Sequence, residues 1–193
     1  MIKFFGNIII SLWCWWSNYR FRECIRSNIG TEPEDKVGTL QDLKALVKRL
    51  YEGFIWTADD ITQLGDAITP PPQNYAIHLD RPLRDDCDGF HSLVYHCLYN
   101  SGIDCYLLTV TPKKINDGHC VLLFYLDGEW HVNDYTKIYQ GFKTPEEAIK
   151  DYNKIYLEKY DCTGPIIYNG LVEYNYASGK FSRVNIKNII KNK

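Results

Sequence analysis

The sequence predicts an α+β domain built on an antiparallel sheet. Apolar residues recur at helical spacing in "TLQDLKALVKRLYEGF", in the run from Asp88, and in "TPEEAIKDYNKIYLEKY". "DCYLLTVTP", "GHCVLLFYLDG" and "EWHVNDYT" follow one another as strands, and Asp127-Gly128 between the last two is a tight-hairpin pair. At 193 residues the chain can bury one core, and its 45% hydrophobic and 24% charged content is that of an ordinary globular domain. A net charge of -2 gives no electrostatic reason to expect a nucleic-acid partner.

Taken in order, the chain opens with an apolar run, "FFGNIIISLWCWW", residues 4–16. It is shorter than the roughly 20 residues a membrane-spanning helix needs. Three readings stay open: a packed helix or strand, a membrane-surface anchor backed by Arg20, Arg22 and Arg26, or a cleaved signal. "NIGTEPEDKVG" is a Gly/Pro/acid-rich loop, and it divides an N-terminal appendage, 1–35, from a main domain, 36–193. The first helix places Leu40, Leu43, Leu46, Val47 and Leu50 on one face, with Thr39 as cap and Gly53 near its end. "TADDITQLGDAI" can hold a short helix, while the prolines of "TPPPQNY" argue against regular structure there. From Asp88 a helix face carries Phe90, Leu93, Val94, Cys97 and Leu98, and Gly102 stops it. The later helix has Thr144 as cap, Pro145 at its first position and Glu147 to complete a capping box. "GLVEYNY", "ASG" and "KFSRVNI" suggest a closing hairpin, with the basic C-terminus as a solvated edge strand and tail.

The seven cysteines are odd in number and contain no Cys-x-x-Cys pair, which disfavours a disulfide framework or a structural zinc site and fits reduced thiols in a cytoplasmic protein. Cys97, Cys105 and Cys120 lie within apolar runs and read as small core residues. Cys87 does not. It sits among Asp85, Asp86 and Asp88, at the start of the helix from Asp88. A thiolate there faces unpaired backbone N–H groups and the positive end of the helix dipole. Asp88 can serve the helix N-terminus while Asp85 and Asp86 point to solvent, so the acids need not see the sulfur. An imidazole oriented by a carboxylate would complete a nucleophile. His119 begins one strand and Asp134 ends the next; counted from the Asp127-Gly128 turn their arms are nearly equal, so strand pairing can bring them into contact.

These residues carry a resemblance. "DDCDGFHSLVYHCLYNSGIDCYLLTV" with "GHCVLLFYLDGEWHVNDYT", roughly Arg84 to Thr136, resembles the transglutaminase-like branch of the papain-type cysteine enzymes. The resemblance implies a papain-like core whose central helix carries the cysteine against an antiparallel sheet. It implies Cys87 as nucleophile, His119 as general base and acid, and Asp134 as the residue orienting His119. The chain has Asp85 where the family commonly has Gly, and Tyr135 where a Pro often follows the aspartate. The second oxyanion donor, beside the Cys87 amide, has two candidates: Trp56, by likeness to the transglutaminases proper, and Gln73, with its neighbour Asn74, beside the proline loop.

The expected function is a cysteine-dependent hydrolase of peptide or other amide bonds, acting through a thioacyl-enzyme with no cofactor. A transamidase and an inactive peptide-binding module of the same fold are the alternatives. Expected partners are a protein or peptide substrate and, through residues 4–16, a membrane surface. His91, four residues after Cys87, could share a metal with it only in a Cys/His/His/Asp set of no common type, so no metal is expected. Asp85, Asp86 and Asp88 lack the loop length and glutamate of a calcium hand. His131 is expected to face solvent or the opposite side of the sheet.

Overall fold

The computed structural model describes residues 30–34, 36–57, 69–112, 118–160 and 165–191. The apolar N-terminal run, the appendage of which it is part (residue 30 onward excepted) and the short helix expected near 57–68 lie outside the described residues. Thr39 caps α1 (Leu40–Glu52) through a reciprocal box with Asp42, and Leu43, Leu46, Val47 and Leu50 are buried as their spacing requires. Gly53 follows at φ -94°, so it is no left-handed stop. It is small because the His78 ring lies where a Cβ would go.

The prolines are a correction. α2 (Pro71–Asp80) begins inside "TPPPQNY", with Pro70 at the cap and Pro71 and Pro72 in the first turn. First-turn amides have no partner within the helix, so proline is tolerated there. Two three-residue strands, β1 (Phe54–Trp56) and β2 (Leu83–Asp85), pair in parallel and set Trp56 opposite Asp85. α3 (Cys87–Asn100) follows β2 directly. It ends at Ser101, and Gly102 takes φ +75°.

β3 (Cys105–Pro112), β4 (His119–Leu126), β5 (Glu129–Asp134), β6 (Lys137–Phe142), β7 (Ile166–Asn175) and β8 (Lys180–Arg183) form one antiparallel sheet in the order β6-β5-β4-β3-β7-β8. The Asp127-Gly128 turn has both residues at positive φ, 55° and 86°, as a two-residue hairpin of primed type needs. Alternation divides the sheet. Cys105, Leu107, Cys120, Leu122 and Phe124 pack with α1 and α3. Leu108, Val110, Val121, Leu123 and Val132 pack with Tyr152 and Tyr156 of α4 (Pro145–Lys159) on the other face. The Thr144 hydroxyl caps α4, but Glu147 reaches back to the Lys143 amide rather than to Thr144. The C-terminal tail is partly helical: α5 (Ile186–Lys191) buries Ile189 in the second cluster. Among the described residues no helix is long and apolar enough to cross a membrane.

Candidate active site

Cys87 is the first residue of α3. Asp86, not Asp88, caps the helix, its Oδ1 accepting the Asp88 amide at 3.1 Å. Asp85 does not point to solvent either. Its Oδ1 accepts the Asp86 amide at 3.0 Å, and its carboxylate lies where a Cβ on residue 89 would go, which accounts for Gly89 inside a helix. Asp85 and Asp86, which precede Cys87, are thus turned toward backbone amides. The half-buried Sγ accepts the Cys120 amide at 3.3 Å, which ties the start of α3 to the start of β4.

Residue 120 follows His119, and pleating sends His119 to the α4 side of the sheet. Leu122 pairs with Asn133, so Asp134 falls opposite Val121 and diagonal to His119 on the same face. His119 Nε2 and Asp134 Oδ1 meet at 3.0 Å, with both side chains nearly or fully buried. A carboxylate oxygen accepts, so Nε2 carries a proton and donates it, and Nδ1 is the ring nitrogen turned away from Asp134. The second oxygen of Asp134 accepts from Lys159 Nζ at 2.7 Å. Burial opposes the charge on Asp134, but the His119 hydrogen bond, the His119 charge and Lys159 outweigh it and hold the carboxyl well below the usual carboxylate range. On the same side, Tyr156 stacks on the His119 ring at 5.6 Å, and Tyr160 lies 5.6 Å from it.

Tyr135 roofs the site. It adopts φ 51°, left-handed for a non-glycine residue, and its ring lies 5.8 Å from His119, 5.2 Å from His91 and 5.4 Å from Phe90. Burial first, then the nearby Cys87 charge, push the Tyr135 phenol far above its ordinary pKa, and its hydroxyl is hydrogen-bonded by the Trp56 side chain. Trp56 therefore stands at the site, 60% exposed, with its indole turned to the roof. Gln73 lies in the first turn of α2, where its amide donates to Pro70 O at 2.9 Å. Its neighbour Asn74 is the residue that reaches α3, with Nδ2 on Gly89 O at 3.2 Å.

Of the two sides expected for His131, the structure gives the opposite face of the sheet from Trp130 and Val132 and not solvent: it is fully buried, stacked on Phe124 at 5.1 Å, with Nε2 bonded to Leu126 O at 3.0 Å. Cys97, Cys105 and Cys120 are buried, and burial pushes the Cys105 thiol well up. Sequence reading did not foresee the Cys120 amide, Lys159, Tyr156 or the role of His91, which is engaged at both ring nitrogens by Cys87 O and the Tyr135 amide. Among the described residues one set of three side chains has donor atoms within 4.8 Å of one another, Asp85, Asp86 and Asp88, and two of these already hold backbone amides. Two shallow concavities of about 510 and 480 Å³ lie between α4, β7 and α5, lined by neither Cys87, His119 nor Asp134. The α3–β4 junction, with its Cys87–Cys120 and His119–Asp134 hydrogen bonds, lies apart from both hollows.

No protein-family model matches the chain, and no curated protein matches it. Among solved structures it is similar to calcium-bound LapG of Legionella pneumophila, at 20% identity over 62% of this chain and 64% of that one, with a TM-score of 0.42. It is also similar to a candidate cysteine protease of Cytophaga hutchinsonii, at 13% identity over 87% of this chain and 49% of that one, with a TM-score of 0.38. The chain spans less than two thirds of the length of either. At these scores neither likeness bears on activity. In the chain itself a cysteine opens the helix packed on an antiparallel sheet, a histidine opens a strand, and an aspartate ends the next, the order of elements that the resemblance in sequence implies.

Proposed function

We propose that the chain is a cysteine-dependent hydrolase of peptide or other amide bonds, with Cys87 as nucleophile, His119 as base and acid, and Asp134 holding His119. The observation that carries this reading is the junction of α3 with β4. A half-buried sulfur at a helix start accepts the Cys120 amide, and the residue before that amide is bonded to a buried carboxylate. The helix terminus and the amide both favour thiolate over thiol. His119 Nδ1 takes the Cys87 proton, and Sγ adds to the carbonyl carbon of the substrate. The C–N bond breaks as Nδ1–H protonates the leaving amine. Water, losing a proton to Nδ1, then adds to the thioester, and the C–S bond breaks to give the acid and free Cys87. The Cys87 amide and a second donor would hold the oxyanion; Trp56 has one indole N–H, now on the Tyr135 hydroxyl, and would serve only by leaving it, so Trp56 and Gln73 both stay as candidates. Cys87 is open enough for water to reach it, which favours hydrolysis over transfer to an amine.

The test is β-casein with an excess of a primary amine, comparing wild type with Cys87→Ala. New peptide termini, or glutamate formed in place of glutamine, absent in the variant, support the hydrolase. Dominant amine incorporation would make the chain a transamidase. Wild type equal to the variant in all three readouts would leave a binding module. Contact of residues 4–16 with a membrane is a separate proposal, read by vesicle partitioning of the full chain against one starting at Thr31.

A further inference from the structure

His91 has no step in the chemistry above, yet its ring is fully buried and bonded at both nitrogens. Nδ1 lies 2.6 Å from Cys87 O, and Nε2 accepts the Tyr135 amide at 3.0 Å. A carbonyl oxygen only accepts and an amide N–H only donates, so the ring is neutral with its proton on Nδ1. One end holds the first residue of α3. The other holds the residue that follows Asp134. Tyr135 is left-handed there, a conformation unfavourable to a non-glycine residue, and its captured amide offsets part of that cost.

We propose that His91 is a positioning residue, a neutral Nδ1–H strut that fixes Cys87 against the Asp134–His119 pair by joining the Cys87 carbonyl to the Tyr135 amide. The proposal rests on reading Cys87, His119 and Asp134 as the reacting unit. Without the strut, α3 and the β5–β6 turn meet through apolar and aromatic contacts, which tolerate sliding; two hydrogen bonds through one rigid ring do not. The groups facing His91 are the Cys87 carbonyl on α3, His119 on β4 with ring centroids 6.1 Å apart, Asp134 and Tyr135 at the end of β5, and Lys159 on α4. A proton on Nε2 would expel the Tyr135 amide. Burial first, then the His119 charge, push the His91 pKa down to about 4, so the strut stays neutral wherever a thiolate is useful.

Nitrogen-15 NMR of the histidine-labelled wild-type chain tests the strut without any reaction. The expected spectrum has a protonated Nδ1 and an unprotonated Nε2 on His91, unchanged from pH 8 to pH 5.5. A proton on Nε2, or titration with the ordinary histidines near 6.5, overturns the proposal. His91→Phe then keeps the ring and removes both hydrogen bonds. In the folded variant, carboxymethylation of Cys87 at pH 6.5 should fall by on the order of tenfold, since a small misplacement of reacting groups is costly. His91→Gln, whose amide can accept from Tyr135, should recover part of the loss. An undiminished rate in folded His91→Phe contradicts the proposal. If wild-type Cys87 itself shows no selective labelling, the hydrolase reading fails, and the NMR result still decides whether the strut exists.

Discussion

Asp134 faces two donors at once, and that makes it the most constrained residue of the site. Oδ1 accepts from His119 at 3.0 Å and Oδ2 from Lys159 at 2.7 Å. An asparagine cannot serve both: with its oxygen on His119, its NH₂ faces the lysine ammonium, and in the flipped orientation the NH₂ faces Nε2–H. Asp134→Asn should therefore lower Cys87 turnover by on the order of 10³–10⁴, the scale expected when a triad histidine loses its tautomer. Lys159→Met added to Asp134→Asn should restore about tenfold, a coupling of about 1.4 kcal/mol, because the asparagine can then settle with its oxygen on His119. Strict additivity of the two substitutions would show that Lys159 does not act through Asp134.

Around Cys87 the element that matters is the first turn of α3. Gly89 is a poor helix former, and alanine there should gain up to about 1 kcal/mol from propensity alone. Instead its Cβ would overlap the Asp85 carboxylate, which would have to leave the Asp86 amide. Gly89→Ala is expected to destabilise by about 1 kcal/mol with Asp85 present and to stabilise in an Asp85→Ala background, a sign change read by urea unfolding. The same sign in both backgrounds would contradict the contact. Much of this element, and of the β4–β5 hairpin, was legible in the sequence, because alternation and the Asp127-Gly128 turn fix a register, and the register brings residue 134 beside 119. Other elements carried weaker local signals. β1 and β2 are three residues each, and half-exposed β6 lacks clean alternation. The prolines of α2 look like a loop unless they occupy the first turn. Lys159 comes 25 residues after Asp134, at the far end of another helix, and no local pattern pairs them. The amide of left-handed Tyr135 is likewise bonded by His91, 44 residues away.

At the scale of the molecule, the helix packed on one face of the sheet carries the candidate nucleophile, and its imidazole partner opens the interior strand β4 toward the other face, so the fold must hold both faces in register. Buried histidines make that hold sensitive to acid. Burial is the main cause that pushes His91 and His96 down to about 4 from an ordinary 6.5. The unfolded chain then binds more protons than the folded one between those values. The neutral rings' contribution is complete above about 6.5, declines as pH falls toward 4, and levels off below, where the folded state also takes the proton. His91 alone should contribute a loss of about 3 kcal/mol by pH 4. Asp134, whose carboxyl is held low, adds a further loss only at more acid pH. Urea midpoints measured from pH 7.5 to 4.5 should fall steadily. A flat profile between pH 6.5 and 5 would show that these rings are not held neutral.

Whether Cys87 and His119 form one reactive unit is read from the pH dependence of iodoacetamide labelling with peptide mass mapping. Wild type should label at Cys87 ahead of buried Cys97, Cys105 and Cys120, at a rate well above that of an ordinary thiol at pH 6 and nearly level to pH 8. His119→Ala should label slowly at pH 6 and rise as a free thiol of pKa about 8.5 does. Identical curves for the two proteins, or labelling spread evenly over Cys87, Cys97, Cys105 and Cys120, would contradict it.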